Sequence, residues 1–491
     1  MKGNSAIREG TFKILFIILS ILLVIPSLKY FLKNGTILNY NKYFIFFIND
    51  GNNKVLSTIV YLCIFVLLSA IYIYFINKKE FFKSIKDLLK YVAIASTIFI
   101  AMLPWLSSDI FYYMGVGELH SVYGQNPYYK TIKQYVKENP EVTKNDTIMK
   151  QASQNYWSKA TVVYGPVAQL IFSIFTKISF KNIDICLALF KLVNVIIHLL
   201  NVWLIYKITK KLRFSIIYGL NPYILMEFIG MVHNDIIVVF FVLLSLHFLL
   251  KRKQILPSVL FLAIATGIKY FTILLLPIII LYHYRDEKNF LKKIFQCIKY
   301  GLVFFIVMLV EYAFFYRDLS VFTAMMVQNV KFSKSIYSGI AGWGELNKIN
   351  DINILGINIG LLELATLLRE IVFYVFVLTY IKYCIDLLLL KEIRISKILR
   401  KYNTELILFM LSLGTFQQWY LTWMFATLLW QKSKMIKSII IVALASEIGN
   451  TVYMFNTENY LYDAFFIFIT AMLLFTWIIW DKVFIDKIKV K

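Results

Sequence analysis

The sequence predicts an all-α polytopic membrane protein, and three observations carry that prediction. Hydrophobic residues make up 59% of the 491 positions and charged residues 16%, with a mean hydropathy of +0.68; a soluble domain cannot keep that much apolar surface out of water. The apolar residues run in blocks of about twenty, the length a helix needs to cross the hydrocarbon core. The short loops between the blocks are rich in lysine and arginine, as loops held in the cytoplasm are. Lys and Arg outnumber Asp and Glu by 52 to 28, a formal charge of +24. In a soluble chain that excess would point to nucleic acid. Here it is spread over inter-span loops, so the expected partners are membrane lipids and no nucleic acid.

Taken in order, the first span covers 12–32. Lys2, Arg8 and Lys13 precede its apolar core, no small-residue cleavage site follows, and Pro26 and Lys29 end the run, so it reads as uncleaved with its start inside. Further spans are predicted at 55–76, 88–106, 183–206, 214–231, 235–250, 295–316, 370–390, 436–455 and 462–480. Lys78, Lys79, Lys83, Lys86 and Lys90 hold the loop before 88–106 inside, so that span delivers Asp109 to the outer face. Lys207, Lys210, Lys211 and Arg213, then Lys251-Arg252-Lys253, mark the next inner loops. Parity makes the apolar run 162–178 begin and end outside, as a helix lying on or dipping into the membrane, so 107–182 becomes one large external loop. The same counting turns 256–282 and 403–430 into pairs of short helices, broken near Gly267-Ile268-Lys269 and at Gln417-Gln418-Trp419-Tyr420. Non-helical backbone at membrane depth is tolerated only against protein or a wet cavity, so both breaks are expected cavity walls. A second external loop covers 317–355, and the basic stretches 391–401 and 482–491 fall inside. Without a linker or a soluble module, 1–491 reads as a single integral membrane domain.

Asp109 leads the residues able to carry chemistry. It stands where an apolar span ends, in Ser107-Ser108-Asp109, a place where a carboxylate also serves as a plain helix cap. Glu118 and His120 follow in the same loop, and Asn126-Pro127-Tyr128-Tyr129 turns the chain, which puts a possible base, polar orienters and aromatic faces in one segment. Tyr112, Tyr113, Tyr128, Tyr156, Trp157 and Tyr164 suit a sugar ring and equally a membrane-interface belt. His233-Asn234-Asp235, between two apolar runs and preceded by Asn221-Pro222-Tyr223 and Glu227, is a second cluster; capping accounts for Asn234 and Asp235 but not for His233. Lys191, Asn194, His198 and Asn201 share one helix face, turned to the bundle for interhelical hydrogen bonds or for a ligand. Lys159, Lys331 and Lys334, near the outer mouth, are expected to hold a lipid phosphate. Lys269 is expected in the cytoplasmic half, and Glu311, Glu363, Arg369 and Glu370 near span ends are expected to be structural. Cys63, Cys186, Cys297 and Cys384 show no CxxC or Cys/His spacing, and no paired acidic motif is present, so no metal or cofactor is expected. A P-loop, a Rossmann glycine fingerprint, HExxH and GxSxG are all missing, which disfavours nucleotide-driven transport and a nucleotide-sugar enzyme with a soluble α/β domain.

In order and spacing, these residues are similar to a known family. Asp109, Tyr113 and Gly124-x-Asn126-Pro127-Tyr128 are followed by Tyr164-Gly165-Pro166, Asn221-Pro222 and Gly230-x-x-His233-Asn234-Asp235. Gly267-x-Lys269-Tyr270 with Pro277, then Trp419-Tyr420-x-x-Trp423, complete the pattern. Over most of 85–430 the chain resembles bacterial GT-C glycosyltransferases, nearest to the polyprenyl-phosphate-mannose-dependent α-mannosyltransferases. It departs in Met231-Val232, where smaller residues are common, and in Gln418, where proline is usual. The resemblance implies a bundle of about 11–13 transmembrane helices and a catalytic Asp109 in the first large external loop. It implies a polyprenyl-phosphate-linked sugar donor, a glycan or glycolipid acceptor of the cell envelope, and inversion at the anomeric carbon. Tyr113, Glu118, His120, Asn126, Tyr128, Tyr164, His233, Asn234, Asp235, Trp419 and Tyr420 are the expected substrate contacts. The expected setting is the cytoplasmic membrane of a bacterium, N-terminus inside and active site outside. A lipid-linked oligosaccharide flippase and a glycan polymerase are the rival readings. The flippase should show internal repeats, of which the sequence has none by eye.

Overall fold

The structure is a computed structural model that describes residues 2–38, 54–78, 81–329, 332–347, 351–354, 357–389, 394–431 and 433–455, together with Ile469 and Met472. Among these residues the regular secondary structure is helical except for one short hairpin. Among the described residues five helices are long and apolar enough to cross a membrane: Glu9–Asn34, Thr58–Asn77, Ile183–Thr209, Phe290–Tyr312 and Lys434–Val452. The pair Pro222–Gly230 and Asp235–Arg252, bent by 114°, makes a sixth if counted as one span. The protein is therefore an all-α polytopic membrane protein. Of the remaining predicted spans, 370–390 falls within the longer helix Leu361–Leu389, and 462–480 lies outside the described residues apart from Ile469 and Met472. Packing divides the chain into two compact units, Met1–Ile273 with Val303–Ala324, and Leu274–Leu302 with Met325–Lys491.

The first unit opens with α1 (Lys2–Asn34), α2 (Lys54–Asn77) and α3 (Ile85–Ile100). Ser84 caps α3 by accepting from the Asp87 amide, and Asp87 adds an acidic group to the first turn, so the helix start is well specified. The helix ends six residues before the predicted limit of its span, because Pro104 disfavours helical backbone ahead of it. Residues from Ala101 to Ser108 run as turns and extended chain, anchored where the Leu103 amide donates to Ser27 Oγ on α1.

The expected loop 107–182 folds as a set of helices. α4 (Asp109–Ser121) packs on α5 (Pro166–Lys177) so closely that a Cβ at Gly117 would lie 2.6 Å from the Phe172 carbonyl oxygen. Gln169 Nε2 donates across this contact to the Val116 carbonyl. With 12 residues α5 is only about 18 Å long, too short to span, in keeping with the predicted juxtamembrane helix. Three short helices lie between α4 and α5, and two of them start on side-chain caps, a reciprocal Thr131–Gln134 capping box and Asp146.

α6 (Ile183–Thr209) is a full span, and the chain beyond it is broken repeatedly. The run 214–231, predicted as one span, is instead α7 (Leu212–Gly219), then α8 (Pro222–Leu225), which passes into a π-turn at Met226–Gly230. Asn221-Pro222 is the cause: proline removes a backbone donor, and the Asn221 side chain takes over as cap for Tyr223. After the bend, α9 (Asp235–His247) and α10 (Ile255–Thr266) form a hairpin, tied where Ser245 donates to the Ser258 carbonyl. The predicted break at Gly267–Lys269 is present, followed by a 3-10 turn (Tyr270–Leu275) and the short helix Leu276–His283. α11 is Phe290–Tyr312.

The second unit contains α12 (Ile336–Asn347), the antiparallel hairpin of β1 (Asp351–Ile354) and β2 (Ile357–Gly360), α13 (Leu361–Leu389), α14 (Ile395–Leu411) and α15 (Ser433–Phe455). The hairpin lies in and just beyond the expected second external loop and has no counterpart among the predicted elements. The pair of short helices expected at 403–430 is also revised. After α14 the chain forms only 3-10 turns, at Gln418–Met424 and Leu428–Trp430. The preceding stretch is held down by Ser335, which donates to the Gly414 carbonyl, and by Tyr337, which donates to that of Leu411.

Candidate active site

Three interruptions of the first unit meet: the end of the stretch after α3, the bend between the π-turn and α9, and the break after α10. Asp109 is the first residue of α4, where the helix dipole favours a negative charge, and its amide donates to Ser107 Oγ. Asn155 Nδ2 donates to the Ser108 carbonyl and fixes the approach to the helix. The Asp109 carboxylate is 13% exposed and lies 3.9 Å from His233 Nδ1, beyond hydrogen-bonding reach. His233 is fully buried, with Nε2 3.2 Å from the equally buried Glu227 carboxylate on the π-turn. Its neighbour Val232 sits at φ +65°, a conformation that costs a β-branched residue more than most.

Asn234 and Asp235 do not act as the helix caps that their residue types allow. The Asn234 side chain makes no cap hydrogen bond, and both its polar atoms are buried without a partner. Asp235 Oδ1 accepts from Lys269 Nζ at 2.7 Å, in an ion pair whose carboxylate is fully buried. The sequence reading sets Lys269 apart from the expected site; the structure joins it to Asp235. α10 starts beside the basic loop and its 12 residues climb about 18 Å along α9; the lysine side chain covers the rest of the way to the start of α9. Counting spans by parity missed this, although a cation beside a glycine break was the available signal.

Aromatic side chains surround these groups. Tyr113 is stacked on Phe172 at 4.6 Å and takes a hydrogen bond from the Tyr164 hydroxyl at 3.2 Å. Burial first, then the charges of Tyr164, Asp109 and Asp235, push the Tyr113 phenol well above its usual range. Lys269 Nζ lies 5.9 Å from the centre of the Tyr164 ring. Tyr128 donates to the Tyr164 carbonyl, and Asn126 donates to the Phe315 carbonyl while accepting from the Tyr128 amide. Gly165 and Gly267 press two loops together: the Gly165 amide donates to the Ile268 carbonyl, and those of Val167 and Ala168 to the Gly267 carbonyl.

Other expected site residues lie elsewhere. Glu118 and His120 are nine and eleven residues along α4 from Asp109, which in a helix is roughly 13–16 Å. Glu118 is fully buried against Asp146, which also accepts from Tyr123 and caps the helix at Met149. Burial, then the Asp146 charge and a hydrogen bond to it, push the Glu118 carboxyl up to about 9, against a smaller pull from Lys181. His120 pairs with Ser173 Oγ at 2.8 Å and is lowered by burial. Lys159 is exposed, and Lys331 lies outside the described residues. Trp419, Tyr420 and Lys334 belong to the second unit, where Tyr420 stacks on Trp423 at 4.3 Å and Lys334 sits 5.7 Å over the Trp419 ring. Among the described residues no three His, Cys, Asp or Glu side chains group as a metal site. The cysteines are free thiols.

The polar stripe on α6 resolves as scaffold. Lys191 Nζ donates to the carbonyls of Met102, Ile229 and Gly230, and Asn194 donates to that of Phe228. His198 pairs with the Gly219 carbonyl, and Asn201 donates to the Ile236 carbonyl and to Tyr218. The carbonyls of Met102, Gly219, Phe228, Ile229 and Gly230 stand at the C-terminal ends of broken helices, where backbone carbonyls lose their own partners.

A polytopic helical protein, with a loop-borne carboxylate brought to a buried histidine at a broken span, takes the form of a membrane glycosyltransferase of the GT-C type. The sequence comparison makes this specific: the model of the MptA_B family, described as alpha-(1->6)-mannopyranosyltransferase, N-terminal domain, matches residues 17–285. That is more than half of the chain, so the chain belongs to this family of mannosyltransferases. No curated protein and no solved structure matches it.

Proposed function

We propose that the protein transfers mannose from a polyprenyl-phosphate donor to the 6-hydroxyl of an α-mannan-like or glycolipid acceptor of the bacterial cell envelope, with Asp109 as the base. The observation that carries this reading is the Asp109 carboxylate at the N-terminus of α4, 3.9 Å from the buried His233. Asp109 takes the proton of the acceptor hydroxyl as that oxygen bonds to the anomeric carbon. The bond from that carbon to the phosphate oxygen breaks, the configuration inverts, and the polyprenyl phosphate leaves as an anion. His233, buttressed by Glu227, sets the field at the carboxylate. Asn234, with two buried unpartnered atoms, presents a donor and an acceptor to a sugar hydroxyl. Tyr113, Tyr128 and Tyr164 wall the sugar. Lys269, held by Asp235, is the cation of this constellation toward which the developing phosphate charge would be directed.

The same reading puts this face outside the cytoplasmic membrane and the N-terminus inside, supported by the run of lysines from Lys78 to Lys90. The test uses purified protein and synthetic polyprenyl-phosphate mannose with an α-mannoside acceptor. Asp109→Asn is expected to abolish product while leaving the melting temperature unchanged. Transfer at the wild-type rate by that variant would remove Asp109 from its role.

A further inference from the structure

Glu311 stands outside the constellation built around Asp109. On its stretch of α11, one flank is open, with Leu309, Val310 and Phe314 71%, 61% and 72% exposed, and the other buries Phe304, Tyr312 and Phe315. Glu311 lies on the buried flank near the end of the helix. Both of its carboxylate oxygens are buried, and neither has a hydrogen-bond partner among the described residues. An ionisable group inside a membrane bundle is costly unless something donates to it. The fold nonetheless makes room for it: a Cβ on Gly267 would lie 2.8 Å from the Glu311 carboxyl carbon, so only glycine leaves space for the carboxylate beside that break.

Tyrosines surround the carboxylate. Tyr270 and Tyr312 join hydroxyls next to Glu311, and the Tyr128 and Tyr312 rings lie 6.3 Å apart. Burial raises the Tyr128 phenol, with Tyr312, Tyr112 and Glu311 adding to it. Gly267 in turn touches Gly165, next to Tyr164 and two residues from Lys269. Aromatic faces seat the apolar side of a pyranose, and a carboxylate with both oxygens unused accepts from two neighbouring hydroxyls at once.

We propose that Glu311 is a sugar-recognition residue whose carboxylate accepts hydrogen bonds from two adjacent hydroxyls of a mannopyranose. The inference rests on the mannosyl-transfer reading and adds a contact that reading does not contain. The sugar is either that of the donor or that of the acceptor, and the experiment separates them. Binding of polyprenyl-phosphate mannose, of a methyl α-mannobioside and of their monodeoxy analogues is measured on purified wild type and Glu311→Gln. The variant is expected to weaken one of the two parent ligands by roughly tenfold to a hundredfold, as loss of a hydrogen bond to a charged group does. The analogue lacking a contacted hydroxyl should then bind both proteins alike. Coupling confined to donor analogues assigns the donor sugar, and coupling confined to mannobioside analogues assigns the acceptor. Equal losses on both proteins for every analogue overturn the proposal, as does a wild type that binds neither parent. Wild type that binds the donor but transfers no mannose would sink the functional reading, while the same comparison still decides Glu311. If Glu311→Gln does not fold, Glu311→Asp, which withdraws the charge by one methylene, carries the same measurement.

Discussion

Gly165→Ala should destabilise the protein severely, although it adds a single methyl group. A Cβ at this position would lie 2.6 Å from the Gly267 carbonyl carbon and 3.1 Å from its Cα, and closer still to the carbonyl oxygen. The obstacle is backbone, so no rotamer change relieves it, and the two loops must separate by about 1 Å to reach ordinary contact. That shift strains three hydrogen bonds: Gly165 to Ile268, and Val167 and Ala168 to Gly267. At about 1 kcal/mol for each bond lost and about 1–3 kcal/mol for overpacking, the cost is about 4–6 kcal/mol, a large part of the stability of an ordinary domain. Gly301→Ala is the control. Gly301 lies within α11 with nothing within 4 Å of an added Cβ, so alanine there should raise stability by about 0.5–1 kcal/mol through helix propensity. Thermal unfolding of the two variants in one detergent, followed by loss of the monodisperse peak, makes the comparison. A Gly165→Ala protein that melts within a degree or two of wild type would refute the close backbone approach and the account of the Tyr164-Gly165-Pro166 motif built on it.

Lys191→Met keeps the volume but leaves the Met102, Ile229 and Gly230 carbonyls without their donor, while removing the cost of burying an ammonium; the two effects oppose, so melting should move little and mannosyl transfer should fall at least about tenfold. Full activity would show that the bend holds without it. Val232→Gly should be more stable than Val232→Ala by about 1 kcal/mol, the reverse of the usual order, since φ is +65° there; urea or thermal melts of the pair decide this. Glu118 holds a proton in the folded state up to about pH 9, whereas unfolded it ionises near 4.5. Its contribution to stability is therefore fully present below pH 4.5 and is lost as pH rises through 9. Glu118→Gln should flatten that slope, and an unchanged pH profile of melting would argue against the buried Glu118–Asp146 pair.

Composition and basic loops made the membrane class legible, and counting spans from the lysine-rich loops predicted that 162–178 is not a span, in keeping with the 12-residue helix found there. The glycine break at 267–269 was legible for the same reason. What escaped were features that hydropathy does not weigh. Asn221-Pro222 is a strong breaker, yet the run 214–231 is apolar enough to read as one helix. Glu118 and His120 look close to Asp109 in sequence, but a helix converts that spacing into axial distance and turns the Glu118 carboxyl into the interior of the loop. The hairpin at 351–360 and the 3-10 turns after α14 are settled by packing with distant segments, as the Ser335–Gly414 bond illustrates.

The placement of the polar stripe explains why a membrane interior carries a lysine that forms no ion pair among the described residues. Asp109, His233 and Lys269 stand at interruptions, so side chains from three separate segments converge. Each interruption strands carbonyls that lipid cannot satisfy. Near Asp109 and His233 three such oxygens converge from two separate breaks, Met102 from one and Ile229 with Gly230 from the other. An amide or hydroxyl has too few donors to serve all three, and arginine would present a planar fork; an ammonium has three donors that splay in space. Lys191 joins the segment that leads to Asp109 to the segment that leads to His233. The 3.9 Å separation between those two side chains therefore depends on a residue that touches neither.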